Sequence, residues 1–179
     1  MANILLAVTG SISAYKAADI TSQLTKLGHQ VKVLMTPAAT AFITPLTLQV
    51  LSKNPVGLDV MIEEDPKRIE HIDIGKETDL FLVAPASANT IAKLAMGLAD
   101  NMVTSTALAL PQGTKKILAP AMNTKMLEHP ATQRNLKLLQ DYGYQIIQPR
   151  HATLACGDQG SGALATVESI VKAVKEHCL

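Results

Sequence analysis

A chain of 179 residues with 47% hydrophobic side chains and a formal net charge of +1 is long enough for one buried core. The near-neutral balance excludes a reader of nucleic-acid phosphates, which needs concentrated lysine and arginine, and the apolar content excludes disorder. Only 3% of the residues are aromatic and Trp is absent, so the core is aliphatic and a planar ligand must lie against backbone and aliphatic groups.

Ile4–Thr9 is an unbroken apolar run, the pattern of a strand buried on both faces. A helix is predicted from about Ala14 to Leu27, closed by Gly28. Val31–Met35 is the second strand, and Thr36-Pro37 opens a helix to about Leu51 with Phe42, Leu46 and Val50 on it. Asn54–Arg68 is polar and irregular and reads as a loop. Leu80–Ala84 is the third strand, and Asn89–Leu110 a helix with breakpoints at Gly97 and Asp100-Asn101. Lys116–Ala119 is the fourth strand, His129-Pro130 starts a helix to Tyr142, and Gln145–Ile147 is a short fifth strand. A glycine-rich loop follows, then a last helix over Thr166–His177.

This alternation predicts an α/β fold: one doubly wound, Rossmann or flavodoxin-like parallel sheet with helices on both faces. The whole of 1–179 reads as one domain. Ligands of such sheets bind beyond the carboxyl ends of the strands. Gly10-Ser11, Thr36-Pro37, Pro85–Thr90 and Pro120–Asn123 all fall at that edge. Cys156 and Cys178 make neither a disulfide framework nor a metal-ligand spacing with the five histidines, so no metal is expected. The apolar start lacks a preceding Lys or Arg, and no stretch reaches the roughly 18 apolar residues of a membrane span. A cytoplasmic location is the expectation.

Gly10-Ser11-Ile12-Ser13 is not a GxGxxG fingerprint, yet a helix start with hydroxyls suits a phosphate. Ser87, Asn89 and Thr90 form a second hydroxyl-rich helix start, or simply an N-cap. Together the two loops fit a mononucleotide. Asn123 lies between Met122 and Met126; it suits a carboxylate or amide, or it caps a helix. His71 is an acid/base candidate or a half-buried structural histidine flanked by carboxylates. Cys156, in Leu154-Ala155-Cys156-Gly157-Asp158-Gln159-Gly160-Ser161-Gly162, is either part of a surface turn or a thiol placed to move a proton.

These segments resemble the homo-oligomeric flavin-containing cysteine decarboxylases. Pro120-Ala121-Met122-Asn123-Thr124-Lys125-Met126 is similar to that family's Pro-x-Met-Asn-x-x-Met signature, Pro85–Thr90 to its flavin loop, Leu154–Asp158 to its substrate clamp, and His71-Ile72 to its active-site histidine. The family's signature usually ends in Met-Trp, whereas Leu127 follows Met126 here. The resemblance implies FMN, held by Gly10, Ser11, Ile12, Ser87, Ala88, Asn89, Thr90 and Ala121. It implies substrate contacts from Asn123, Met126, Ala155, Gly157 and Asp158, with 150–165 as the clamp. His71 and Cys156 would be catalytic.

The implied reaction converts 4′-phospho-N-pantothenoylcysteine to 4′-phosphopantetheine in coenzyme A biosynthesis. It runs by thiol oxidation to a thioaldehyde, CO2 loss and re-reduction of the enethiol. The implied form is a single-function homo-oligomer, a trimer or dodecamer, with a small-molecule substrate and no nucleic-acid or membrane partner. The alternatives are an oxidative decarboxylase of a peptide's C-terminal cysteine, a flavin prenyltransferase, and a non-catalytic FMN-binding regulator.

Overall fold

The computed structural model describes residues 1–63 and 65–178. Its main sheet is built from β1 (Asn3–Val8), β2 (Gln30–Met35), β3 (Val56–Gly57), β4 (Leu80–Ala86), β5 (Lys115–Pro120) and β6 (Tyr144–Ile146). All neighbours are parallel, in the order β3-β2-β1-β4-β5-β6. The helices are α1 (Ala17–Lys26), α2 (Pro45–Ser52), α3 (Glu70–Glu77), α4 (Ala88–Met96), α5 (Met102–Leu108), α6 (Thr124–Glu128), α7 (Pro130–Asp141) and α8 (Val167–His177). An antiparallel hairpin, β7 (Arg150–Thr153) and β8 (Gln159–Ala163), forms a separate two-stranded sheet. The expected doubly wound α/β architecture is what the chain adopts.

Successive side chains of a strand point to opposite faces, and β1 shows both faces covered. Ile4, Leu6 and Val8 join one core cluster with Ile20, Leu24, Leu48 and Ile170, from α1, α2 and α8. Leu5 and Ala7 join the other with Ile74, Ile91, Val103 and Leu136, from α3, α4, α5 and α7. That double burial is why β1 reads as a continuous apolar run. Truncation of a side chain such as Leu6 to alanine costs about 2–5 kcal/mol in such a site.

The structure departs from the expected elements in several places. The helix expected from Thr36 to Leu51 is broken. A 3-10 turn covers Pro37–Ala41, and α2 begins at Pro45, which restricts Thr44 to extended backbone (φ −78°, ψ 144°). Phe42, Leu46 and Val50 face solvent at 46%, 65% and 66% exposure, while Leu48 is buried. The helix expected over Asn89–Leu110 is two. Gly97 ends α4 in the left-handed region (φ 69°), and Asn101 with Thr104 forms a capping box that starts α5. The short α3 and β3 were not expected, α6 follows the alternative reading of Asn123 as a helix cap, and the cysteine loop is a hairpin.

Candidate functional site

Strand order reverses between β1 and β4, so the connections leaving their carboxyl ends diverge and open a crevice. Thr9 ties its floor together. Its hydroxyl donates to the Pro85 carbonyl at 2.6 Å and accepts the Ser87 N–H at 2.8 Å. On one side Ser11 accepts the Ser13 N–H at 3.3 Å and opens the 3-10 turn Ile12–Lys16. On the other, Ser87 accepts the Thr90 N–H at 3.3 Å and caps α4. The crevice measures about 510 Å³, within the ~300–1,000 Å³ usual for small-molecule sites.

Its far wall is the turn between β5 and α6. Asn123 caps α6, its Oδ1 accepting the Lys125 N–H at 2.9 Å. Its Nδ2 donates to Cys156 Sγ at 3.4 Å, and Cys156 Sγ donates to Asp158 Oδ2 at 3.4 Å. Leu127, the departure from the family signature, is 8% exposed and anchors α6 in the second core cluster.

The hairpin brings Cys156 to Asn123. Leu154 N–H donates to Asp158 O and Gly157 N–H to Leu154 O, each at 2.8 Å, closing a tip in which Gly157 takes φ 89°. The Met122 N–H then donates to Gly162 O at 2.9 Å and seats the hairpin. At Gly162 (φ 145°) a Cβ would collide with Met122 O, so the close approach of the two backbones requires glycine.

The sequence-predicted residues fall into two groups. Gly10, Ser11, Ile12, Ser87, Ala88, Ala121, Asn123, Met126, Ala155 and Cys156 line this one crevice. Gly157 and Asp158 sit at the adjoining tip. Asn89 is exposed on the first turn of α4 and Thr90 is buried beneath it; neither lines the crevice. His71 is elsewhere, half-buried in the first turn of α3, and its Nδ1 is buried without a partner among the described residues. Among the lining residues that escaped the sequence reading are two cations: Lys16, at the end of the turn after β1, and Arg150, at the start of β7. Burial first, and then the Arg150 charge, holds the Lys16 ammonium below its usual range; Glu168 acts in the opposite direction.

The donor set fits FMN. Hydroxyls and backbone N–H groups at two helix starts suit a phosphate, and the aliphatic walls Ile12, Ala88, Ala121, Met122 and Leu154 suit a flat ring. Both cysteines are free thiols, and no cluster of three or more His, Cys, Asp or Glu able to hold a metal occurs among the described residues. No helix among those residues is long and apolar enough to cross a membrane.

A family model described as Flavoprotein matches residues 1–179. A probable phosphopantothenoylcysteine decarboxylase of Streptococcus mutans serotype c is 64% identical over 174 residues, which is 97% of this chain and 97% of the relative. The coenzyme A biosynthesis bifunctional protein CoaBC of Bacillus subtilis is 47% identical over 98% of this chain, which spans 43% of that longer protein. Among solved structures, a cysteine-to-serine mutant of PPC decarboxylase complexed with pantothenoylaminoethenethiol matches with a TM-score of 0.87 at 31% identity, covering 98% of this chain and 97% of that one. The FMN-binding protein AtHal3 matches with a TM-score of 0.84 at 31% identity, covering 98% and 95%.

Proposed function

The chain belongs to the Flavoprotein family, and from that premise we propose that it decarboxylates 4′-phospho-N-pantothenoylcysteine to 4′-phosphopantetheine in coenzyme A biosynthesis, using FMN. The observation that carries this reading is the contact chain Asn123–Cys156–Asp158 at the mouth of a flavin-sized crevice. A non-catalytic flavin binder has no need of a thiol aimed there.

Gly10, Ser11 and Ile12 would hold FMN on one side, and Ser87, Ala88, Asn89, Thr90 and Ala121 on the other. When bound, FMN supplies a reversible two-electron sink, without which loss of CO2 from a saturated carbon leaves an unstabilised carbanion. Asn123 Nδ2 donates to the substrate carboxylate and fixes the bond that breaks. Met126, Ala155 and Gly157 wall off the cysteine end of the substrate from water. Cys156 Sγ delivers its proton to the enethiol carbon, and Asp158 Oδ2 holds that S–H in line beforehand. A proton donor of this kind works as the neutral thiol. His71 moves the proton of the substrate thiol.

His71 does not line this protomer's crevice, so a second copy of the chain supplies it. The exposed Phe42, Leu46 and Val50 fit an assembled surface of a homo-oligomer, a trimer or a dodecamer. Residues 150–165 serve as the substrate clamp of a single flavoprotein domain, 1–179. The reaction belongs in the cytoplasm, beside the other steps that use free phosphorylated intermediates. Incubation of the FMN-loaded protein with the substrate, followed by mass analysis, tests the reading. Loss of CO2 with no net oxidation is expected. An oxidised enethiol as the end product, or no product, overturns it.

A further inference from the structure

α6 is five residues long, too short to stay helical on its own hydrogen bonds. Yet its cap, Asn123, and its third residue, Met126, both line the crevice. Among the described residues, Leu127 is the one member of α6 that is buried. Its N–H donates to Asn123 O at 3.0 Å, and its carbonyl accepts Gln133 Nε2, from α7, at 2.7 Å. Leu127 is therefore the side chain through which α6, and the Asn123 cap with it, enters the core.

That hold is packed on one flank only. Leu127 joins the second core cluster, but it also lines a pocket of about 280 Å³ with Pro120, Gln133, Leu136 and Ile146. This pocket shares no lining residue with the crevice. Its volume is far above the ~10–15 Å³ that admits one water. The pocket flank of Leu127 thus lacks the partner atoms that a close-packed interior supplies.

We propose that Leu127 is the positioning residue for Asn123, and that the unfilled pocket beside it lets α6 open locally and so limits how steadily the Asn123 amide is presented. The inference rests on the proposed function above for the identity of what that amide meets, the substrate carboxylate. A misplacement of 1 Å can cost about 10²-fold in rate, so a loose α6 lowers kcat, and a side chain that fills the pocket raises it.

The test measures hydrogen exchange in the peptide 121–128, kcat/KM and FMN content on FMN-loaded protein. Leu127→Trp is expected to slow exchange at the Lys125 and Leu127 amides, both of which bond to Asn123, and to raise kcat/KM about threefold. Leu127→Phe reads the same effect if the indole does not fit. Leu127→Ala is expected to speed exchange in that peptide alone and to lower kcat/KM about tenfold, through kcat, at parent FMN content. Added indole, which can enter the enlarged pocket, is expected to restore part of the loss. The control Leu139→Ala opens the same core cluster from α7. It is expected to melt earlier, to keep kcat/KM within about twofold, and to ignore indole. Parent-like exchange or kcat/KM in both Leu127→Trp and Leu127→Phe overturns the proposal. So does a Leu139→Ala loss as large as that of Leu127→Ala. A parent protein that releases no CO2 overturns the proposed function instead, and the exchange rates then decide by themselves whether Leu127 holds α6.

Discussion

The Asn123 amide nitrogen lies 3.4 Å from the Cys156 sulfur, although the two residues are 33 positions apart. In the proposed reaction one meets the carboxylate and the other supplies the proton. A single seat, the Met122–Gly162 backbone bond, fixes both.

Cys156→Ser is expected to release CO2 and then halt with the enethiol unreduced, because the hydroxyl is a far poorer acid than the thiol. Mass analysis and the flavin spectrum check this. Normal product at the parent rate removes Cys156 from the mechanism.

His71→Asn is expected to bind FMN and release no CO2. Because His71 does not line its own protomer's crevice, mixed oligomers of His71→Asn and Cys156→Ser chains are expected to recover part of the activity. Mixtures that stay as inactive as either variant alone place both groups in one subunit.

Gly162→Ala puts a methyl group against the Met122 carbonyl at a φ of 145°. The hairpin must leave its seat, while the core clusters lose no member. The expected result is a loss of kcat/KM of tenfold or more, faster proteolysis between residues 150 and 163, and parent-like FMN content. An unaltered kcat/KM shows that the seat does not matter.

Thr9→Val strips partners from the Pro85 carbonyl and the Ser87 N–H beneath the crevice. Leaving such buried groups unsatisfied costs about 1–3 kcal/mol. Urea unfolding measures the loss, and FMN is expected to bind more weakly. A variant as stable as the parent contradicts the role given to Thr9.

Glu77 is held below its ordinary value of 4.5, first by the hydrogen bond from Lys32 at 2.7 Å and then by that ammonium's charge. Arg68 does the same for Asp73 on the same helix. The folded-state values lie below the unfolded ones, so the unfolded chain binds protons first. This stabilisation is complete above about pH 4.5 and disappears as the pH falls through the folded values. The melting temperature is expected to drop over that range, less steeply at high salt and in Glu77→Gln. A Glu77→Gln profile that superposes on the parent's excludes the pair.

Much of the fold was legible because burial on both faces writes itself as apolar runs. β1, β2, β4 and β5 carry such runs, and α1, α7 and α8 carry buried stripes between caps. α3 was missed because Glu70–Glu77 is polar and buries only Ile74 and Gly75, and Ile69 gives it no side-chain cap. The β7–β8 hairpin was missed because its register is set by Met122 and Thr124, against which its glycines pack; nothing in Gln159–Ala163 alternates in polarity. The break before α2 was missed, although Pro45 carries a signal for it through its effect on Thr44. In the site, Ser11, Ser87, Asn123 and Cys156 stood out as residue types at strand ends. Lys16 and Arg150 did not, since each alone resembles a solvated cation and only the fold brings both to one crevice.

The Thr9–Ser87 bond spans 78 positions of chain. A polypeptide emerging from the ribosome therefore carries only half a pocket until β4 has been made and has found β1. Closing so long a loop is entropically costly and slow compared with winding a helix. Cofactor capture is thus a signature of the finished sheet, and the ribosome-bound chain passes through most of its synthesis with nothing for a flavin to enter.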